Sequence, residues 1–234
     1  MLLYIVRHGD PDYTTDSLTE KGLIQAEAVG KRMFDAGIDR IFSSPMGRAK
    51  QTAEPACRLL GMEYTIEPWA HEIGEEMYVE FPDGKRKAIG YMPNIRFFEQ
   101  DNLFRPYEDY KKLYPFNECT VDTALDYIWE NGNDFLERLG YKYEDGMYRI
   151  LQPNEEKVAL FCHAAFAKAW LCQLLRIPPH IMWGGFSYTH TGVTILQFRN
   201  HKEGITRPQC MCYSDTSHLY AAGHELMYNN HTPY

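Results

Sequence analysis

The sequence predicts an α/β fold built around an open sheet, and three observations carry that prediction. Short apolar runs alternate with longer stretches whose apolar residues recur at helical spacing. The first run, Leu2-Leu3-Tyr4-Ile5-Val6, is unbroken, as in a strand buried on both faces. Two runs end in histidine, at Arg7-His8-Gly9 and at Phe161-Cys162-His163, and strand ends are where open α/β sheets hold their ligands.

After the first strand, Ser17-Leu18-Thr19-Glu20 has the form of a capping box, and Leu23, Ala26, Gly30, Met33 and Phe34 follow at helical spacing until Gly37. Residues 39–43 read as the second strand. Ser44-Pro45 then supplies a helix N-cap with proline at the first helical position, which places Arg48 one turn in. Pro55 is expected to kink that helix or end its first segment, and Gly61 to stop it. A short third strand at 62–66 leads to Trp69-Ala70-His71-Glu72.

From about residue 77 to 150 the texture changes, with nine Tyr, six Phe and one Trp. Helical periodicity is confined to 122–139, and Glu144-Asp145-Gly146 marks a hairpin turn within 141–150. The segment reads either as an insertion folded over the sheet edge or as an aromatic subdomain packed on the core. The strand and helix pattern resumes at 158–162 and 164–175, and strands at 193–198 and 209–213 close the sheet.

At 234 residues, 44% of them hydrophobic, the chain can bury one sizeable core and is too apolar for disorder. Its 24 basic and 32 acidic residues give a net charge of −8, so there is no broad basic face for nucleic acid and any anion site must be local. No apolar run approaches membrane-spanning length, and Met1 leads straight into the first strand without a basic leader; a cytoplasmic protein with no membrane partner is expected. Cysteines 57, 119, 162, 172, 210 and 212 form no Cys-x-x-Cys pair and read as reduced, buried thiols. Cys210-Met211-Cys212 has no companion Cys/His pair to complete a zinc site.

Two arginines and two histidines brought to one sheet edge make a phosphate pocket with its own nucleophile. Phosphoryl transfer needs an in-line nucleophile, donors for the equatorial oxygens and an acid for the leaving oxygen. A neutral His8 can attack through one ring nitrogen if the other donates to a fixed acceptor. Arg7 and Arg48 carry planar forks matched to phosphate. A protonated His163 beside a phosphate dianion adds a third cationic donor, and the helix beginning at Ala164 is expected to point its free N–H groups into the same place.

On these residues the chain resembles the histidine phosphatase superfamily, the phosphoglycerate mutase-like group. The resemblance rests on Ile5-Val6-Arg7-His8-Gly9, on Leu18-Thr19-Glu20-Lys21-Gly22 with Gln25-Ala26, and on Ser43-Ser44-Pro45 with Arg48-Ala49 and Gln51-Thr52-Ala53. The strand ending at His163 and Ser214-Asp215-Thr216-Ser217-His218-Leu219 complete it. The chain reads as a single domain over 1–234. The aromatic-rich segment at 77–150, which the resemblance does not cover, is expected to be an inserted lid over the active-site edge, because of its aromatic enrichment and its place between Glu72 and the strand that delivers His163. The resemblance implies a three-layer α/β/α fold with a mostly parallel central sheet. It implies a phosphohistidine on His8, phosphate contacts from Arg7, Arg48 and His163, and neither metal nor cofactor. The family's general acid is a carboxylate after the third strand; Glu72 fits that place best, with Glu75 and Glu76 as rivals. Two departures stand out. Asp10-Pro11-Asp12-Tyr13-Thr14 occupies the place where mutase-like members commonly carry Glu-Thr-x-x-Asn, and Ala164 follows the second histidine where glycine is frequent.

A cysteine-dependent phosphatase needs Cys, five residues, then Arg, but that spacing from Cys162 reaches Lys168. The phosphate loop of nucleotide-binding proteins, the Gly-x-Ser-x-Gly elbow and the His-Glu-x-x-His zinc motif are all missing. The expected activity is a metal-independent phosphomonoesterase acting on a small phosphorylated metabolite, against a phosphoglycerate-type mutase or a phospho-ligand-binding module without turnover. Histidines 71, 180, 190, 201, 218, 224 and 231 are expected to be surface or structural, and His218 lies in a family-like stretch. Oligomeric state is not legible.

Overall fold

Strand β1 (Leu2–Arg7) sends Leu3 and Ile5 to one face and Tyr4 and Val6 to the other, and all four are buried, so its sheet requires an apolar layer on both sides. The computed structural model, which describes residues 1–92 and 107–224, meets that requirement. A short hairpin, β2 (Pro11–Asp12) and β3 (Ser17–Leu18), leads into α1 (Glu20–Ala36); β4 (Arg40–Ser43), α2 (Gly47–Leu60) and β5 (Tyr64–Ile66) follow. The middle of the chain forms the hairpin β6 (Tyr78–Glu80) and β7 (Arg86–Ala88), helix α3 (Val121–Arg138) and the hairpin β8 (Tyr141–Glu144) and β9 (Met147–Ile150). Then come β10 (Lys157–Cys162), α4 (Ala164–Leu175), α5 (Pro179–Gly185), β11 (Val193–Gln197), β12 (Ile205–Thr206), β13 (Gln209–Asp215) and α6 (Ser217–Ala221).

The central sheet has the order β13-β11-β1-β10-β4-β5. Strands β1, β10, β4 and β5 pair in parallel, and β11 runs antiparallel to both β1 and β13. Helices α1 and α2 cover the Tyr4 and Val6 face with Val29, Met33, Ala53 and Ala56. On the other face Leu3 and Ile5 meet Phe135 of α3, Trp170 of α4 and Met182 of α5. The result is the three-layer α/β/α arrangement with a mostly parallel sheet. Much of the aromatic content of 77–150 is spent here, because Phe135, Tyr141 and Tyr148 are buried in the same core as β1. Residues 93–106, inside the expected lid, lie outside the described residues.

Several local expectations are corrected. The N-cap of α1 is Thr19, whose Oγ1 accepts from the Gly22 N–H at 3.1 Å; Ser17 is instead paired with Asp12 in the hairpin. Met46, not Ser44, is the N-cap position of α2, and Pro45 stays outside the helix. Helix α2 runs through Pro55 without a break. A Cβ on Gly30 would lie only 2.6 Å from the Pro55 Cβ, so α1 and α2 approach closely at this point. Cys210 is exposed because it sits on the edge strand β13, although Cys162 and Cys172 are buried as expected.

The glycine of Arg7-His8-Gly9 has a partner in the next motif. A Cβ on Gly9 would lie 2.7 Å from the Gly22 carbonyl oxygen, and one on Gly22 would lie 2.2 Å from that of Asp10. Both must be glycine for the first turn of α1 to press against the chain leaving β1, and that contact shapes the wall of the site.

Candidate active site

Strands β1 and β10 are in parallel register with Arg7 opposite Cys162, so His8 and His163 leave the sheet side by side. The His8 N–H donates to the Cys162 carbonyl at 2.9 Å, and the two imidazole centroids are 5.2 Å apart. His8 Nδ1 lies 2.7 Å from the Gly9 carbonyl oxygen. A carbonyl only accepts, so Nδ1 carries the proton and Nε2 keeps its lone pair. Burial, reinforced by Arg7 and His163, holds the His8 pKa well below its ordinary value, and the ring is neutral.

Arg7 and Arg48 are both buried. Arg7 Nη1 donates to the Tyr188 carbonyl, which fixes the end of its fork. Arg48, in the first turn of α2, donates through Nη1 to Asp16 Oδ1 at 2.5 Å, while Asp16 Oδ2 accepts from the Gly47 N–H at 2.6 Å. The Tyr13 ring lies 5.4 Å from the Arg48 guanidinium. His163 caps the start of α4, with Nε2 2.8 Å from the Ser44 hydroxyl. Burial, then Arg48 and Arg7, press its pKa well below the ordinary value.

Of the three candidate carboxylates, Glu72 alone reaches helix α4. Its Oε1 accepts from the Phe166 N–H at 2.9 Å and its Oε2 from the Ala165 N–H at 3.4 Å. This corrects the expectation that these N–H groups face a bound phosphate: the nearest carboxylate takes the positive end of the helix. Burial raises the Glu72 pKa, against the opposing pull of those N–H groups, Arg7 and Arg48. Glu75 is exposed and paired with Arg86 at 2.6 Å, and Glu76 accepts from the Gly74 N–H.

Sequence reasoning missed two neighbours of this cluster. His190 lies 5.6 Å from His8 ring to ring, with Nδ1 3.4 Å from Asp10 Oδ1, and burial, Arg7 and Lys21 push its pKa down to about 2. The only signal was its place in the turn before a strand that flanks β1. Asp16, which anchors Arg48, carries no motif of its own. His218 is structural, as expected: Nε2 lies 3.0 Å from the Thr191 hydroxyl, and the Thr191 N–H donates to the His8 carbonyl.

Arg7 and a neutral, oriented His8 stand at the end of β1 beside His163 at the end of β10, and Arg48 is buried in the first turn of α2. The sequence profile of the histidine phosphatase superfamily, branch 1, matches residues 3–85 and 116–210. The chain belongs to the histidine phosphatase superfamily.

The chain is 34% identical over 80 residues to a probable phosphoglycerate mutase of Erwinia tasmaniensis, a match covering 30% of this chain and 37% of that protein. A protein of the same name from Salmonella arizonae is 35% identical over 80 residues, with the same coverage. The matched stretch therefore spans little more than a third of these curated relatives. Among solved structures, the phosphoserine phosphatase of Entamoeba histolytica, determined as a mutant with phosphoserine, aligns with a TM-score of 0.61 at 22% identity over 93% of this chain and 98% of that one. A mycobacterial glucosyl-3-phosphoglycerate phosphatase in complex with VO3 aligns with a TM-score of 0.59 at 18% identity, covering 91% and 98%. These similarities show a shared fold. Among the described residues, no helix is long and apolar enough to cross a membrane.

Proposed function

We propose that the chain is a phosphomonoesterase that transfers a phosphoryl group from a small phosphorylated metabolite to His8 and then to water, with no metal ion required. The observation that carries this reading is the 2.7 Å contact between His8 Nδ1 and the Gly9 carbonyl, which leaves Nε2 as a free nucleophile. Nε2 attacks phosphorus as the ester P–O bond breaks, and Glu72 gives its proton to the departing oxygen. Water then attacks the phosphohistidine, passes a proton to Glu72, and the P–N bond breaks to release phosphate. Arg7 and Arg48 hold the equatorial oxygens. A dianion beside His163 opposes the burial and guanidinium effects that keep it neutral, so His163 takes up a proton there and becomes a third donor.

Hydrolysis is favoured over phosphoryl return by Asp10-Pro11-Asp12-Tyr13-Thr14, which lacks the mutase-like Glu-Thr-x-x-Asn. Labelled phosphomonoesters, supplied with and without a bisphosphoglycerate primer, test the reading by rapid quench. A base-stable, acid-labile phosphoprotein and primer-independent phosphate release are expected. Primer-dependent isomerisation without release would establish a mutase, and stable binding without turnover a binding module.

Two further outcomes follow from the charge already present. Turnover should survive exhaustive EDTA treatment, because Arg7 and Arg48 supply the fixed positive charge; loss of activity restored by a divalent ion would contradict this. Arg48→Lys should lower kcat/KM by roughly a hundredfold, since an ammonium keeps the charge but not the fork. Near-native kcat/KM in that variant would remove Arg48 from the phosphate contacts.

A further inference from the structure

The phosphoryl-transfer steps leave one neighbour of the nucleophile unused. The His190 ring packs on His8, 5.6 Å from centroid to centroid and tilted by 37°, nearly as close as the 5.2 Å of His163. Its Nδ1 faces Asp10 Oδ1 at 3.4 Å. Asp10 is itself held in place. Its N–H donates to Gln25 Oε1 at 2.8 Å, its carbonyl accepts from the Thr19 N–H at 3.0 Å, and its Oδ2 accepts from the Thr19 hydroxyl at 2.8 Å.

The chain turns sharply to bring His190 there. Thr191 adopts a φ of 53°, in the left-handed region that β-branched side chains avoid. The turn is locked from several sides. The Thr191 N–H donates to the His8 carbonyl at 3.2 Å, the Gly192 N–H to the Thr189 carbonyl at 2.9 Å, and the Thr189 N–H to the Ser214 hydroxyl at 2.8 Å. The Thr191 hydroxyl donates to the His190 carbonyl at 2.8 Å and accepts from His218 Nε2 at 3.0 Å, while Arg32 donates to His218 Nδ1 at 3.3 Å. Residues 214–219, a motif with no part in phosphoryl transfer itself, thus hold the turn that carries His190.

His8 needs such support. The torsion that turns an imidazole about its Cβ–Cγ bond is soft, so the single bond from Nδ1 to the Gly9 carbonyl lets the ring rock out of line with phosphorus. A second ring packed on it removes that freedom and excludes water. His190 does so without repelling Arg7, because burial, Arg7 and Lys21 push its own pKa down to about 2 and leave it neutral, with Asp10 as its nearest carboxylate.

We propose that His190 is a positioning residue of the nucleophile: held by Asp10 and by the locked turn at Thr191, its ring fixes the plane of His8 and keeps water off it. The inference rests on the phosphohistidine reading and acts through His8 alone.

Rapid quench with para-nitrophenyl phosphate, and NMR titration of isotope-labelled histidines without substrate, test it. In His190→Ala the rate of His8 phosphorylation should fall by roughly tenfold to a hundredfold. Calorimetric affinity for inorganic phosphate should change little, since Arg7, Arg48 and His163 are untouched. The His8 titration should move up toward the ordinary imidazole range as water reaches the ring, against the Arg7, Arg48 and His163 charges that still face it. His190→Phe, which restores a ring, should recover most of the rate and return the titration to its place. Parental rate and titration in His190→Ala overturn the proposal, as does a loss in His190→Phe as deep as in the alanine variant. Should His190→Ala not fold, His190→Asn, which keeps a donor for Asp10 but no ring, decides in the same terms. If the unmodified protein never acquires label on His8, the hydrolase reading fails, and the titration alone decides on His190.

Discussion

His8→Ala is expected to abolish phosphoenzyme formation and lower turnover on the order of 10⁴-fold or more. No neighbouring imidazole can replace the lost one in line. His163 Nε2 is tied to the Ser44 hydroxyl, and His190 turns Nδ1 toward Asp10. The backbone contacts of His8, its N–H to the Cys162 carbonyl and its carbonyl to the Thr191 N–H, survive the substitution, so the fold should too. Acid-labile label should therefore vanish from a variant whose melting temperature is close to that of the parent. Label persisting at another histidine would move the nucleophile there.

The second large effect is expected from Glu72→Gln, which preserves shape while removing the transferable proton. General acid catalysis contributes about 10²–10⁴-fold, so kcat/KM on alkyl phosphates should fall by that order. Aryl phosphates with good leaving groups should lose far less, because their departing oxygen needs little help. The pH dependence has a definite sign. Glu72 must be protonated to donate, and burial raises its pKa, so activity on alkyl esters should decline as pH rises through that raised value. In the glutamine variant this decline should disappear. His8, held neutral by burial and Arg7, should keep its lone pair into acid well below the usual imidazole range, so the acid limb lies low. Equal losses on alkyl and aryl esters would show that Glu72 has a structural role instead.

Those residues were legible because their signals are local. An unbroken apolar run ending in Arg7-His8-Gly9 specifies both a buried strand and what leaves it, and Lys157–Cys162 repeats the device before His163. Signals that depend on packing were read less well. Ser17 has the chemistry of a cap but is claimed by the hairpin with Asp12, which passes capping to Thr19. Pro55 ought to break a helix, yet α2 runs through it at the point where α1 presses closest, at Gly30. His190 carries no motif. It becomes part of the cluster through the antiparallel placement of β11 beside β1.

The position of β1 in the middle of the sheet bears on how the chain reaches its native state. Both of its neighbours, β10 and β11, come from beyond residue 156, so Leu2–Arg7 gains no sheet partner until more than half of the polypeptide has been made. Loop closure over such separations slows folding, and until it occurs an apolar strand remains with both edges unpaired. Fragments ending before Lys157 lack both partners of β1 and should therefore be aggregation-prone. The pocket cannot be complete before that pairing, because His163 is delivered beside His8 only once β10 has docked on β1.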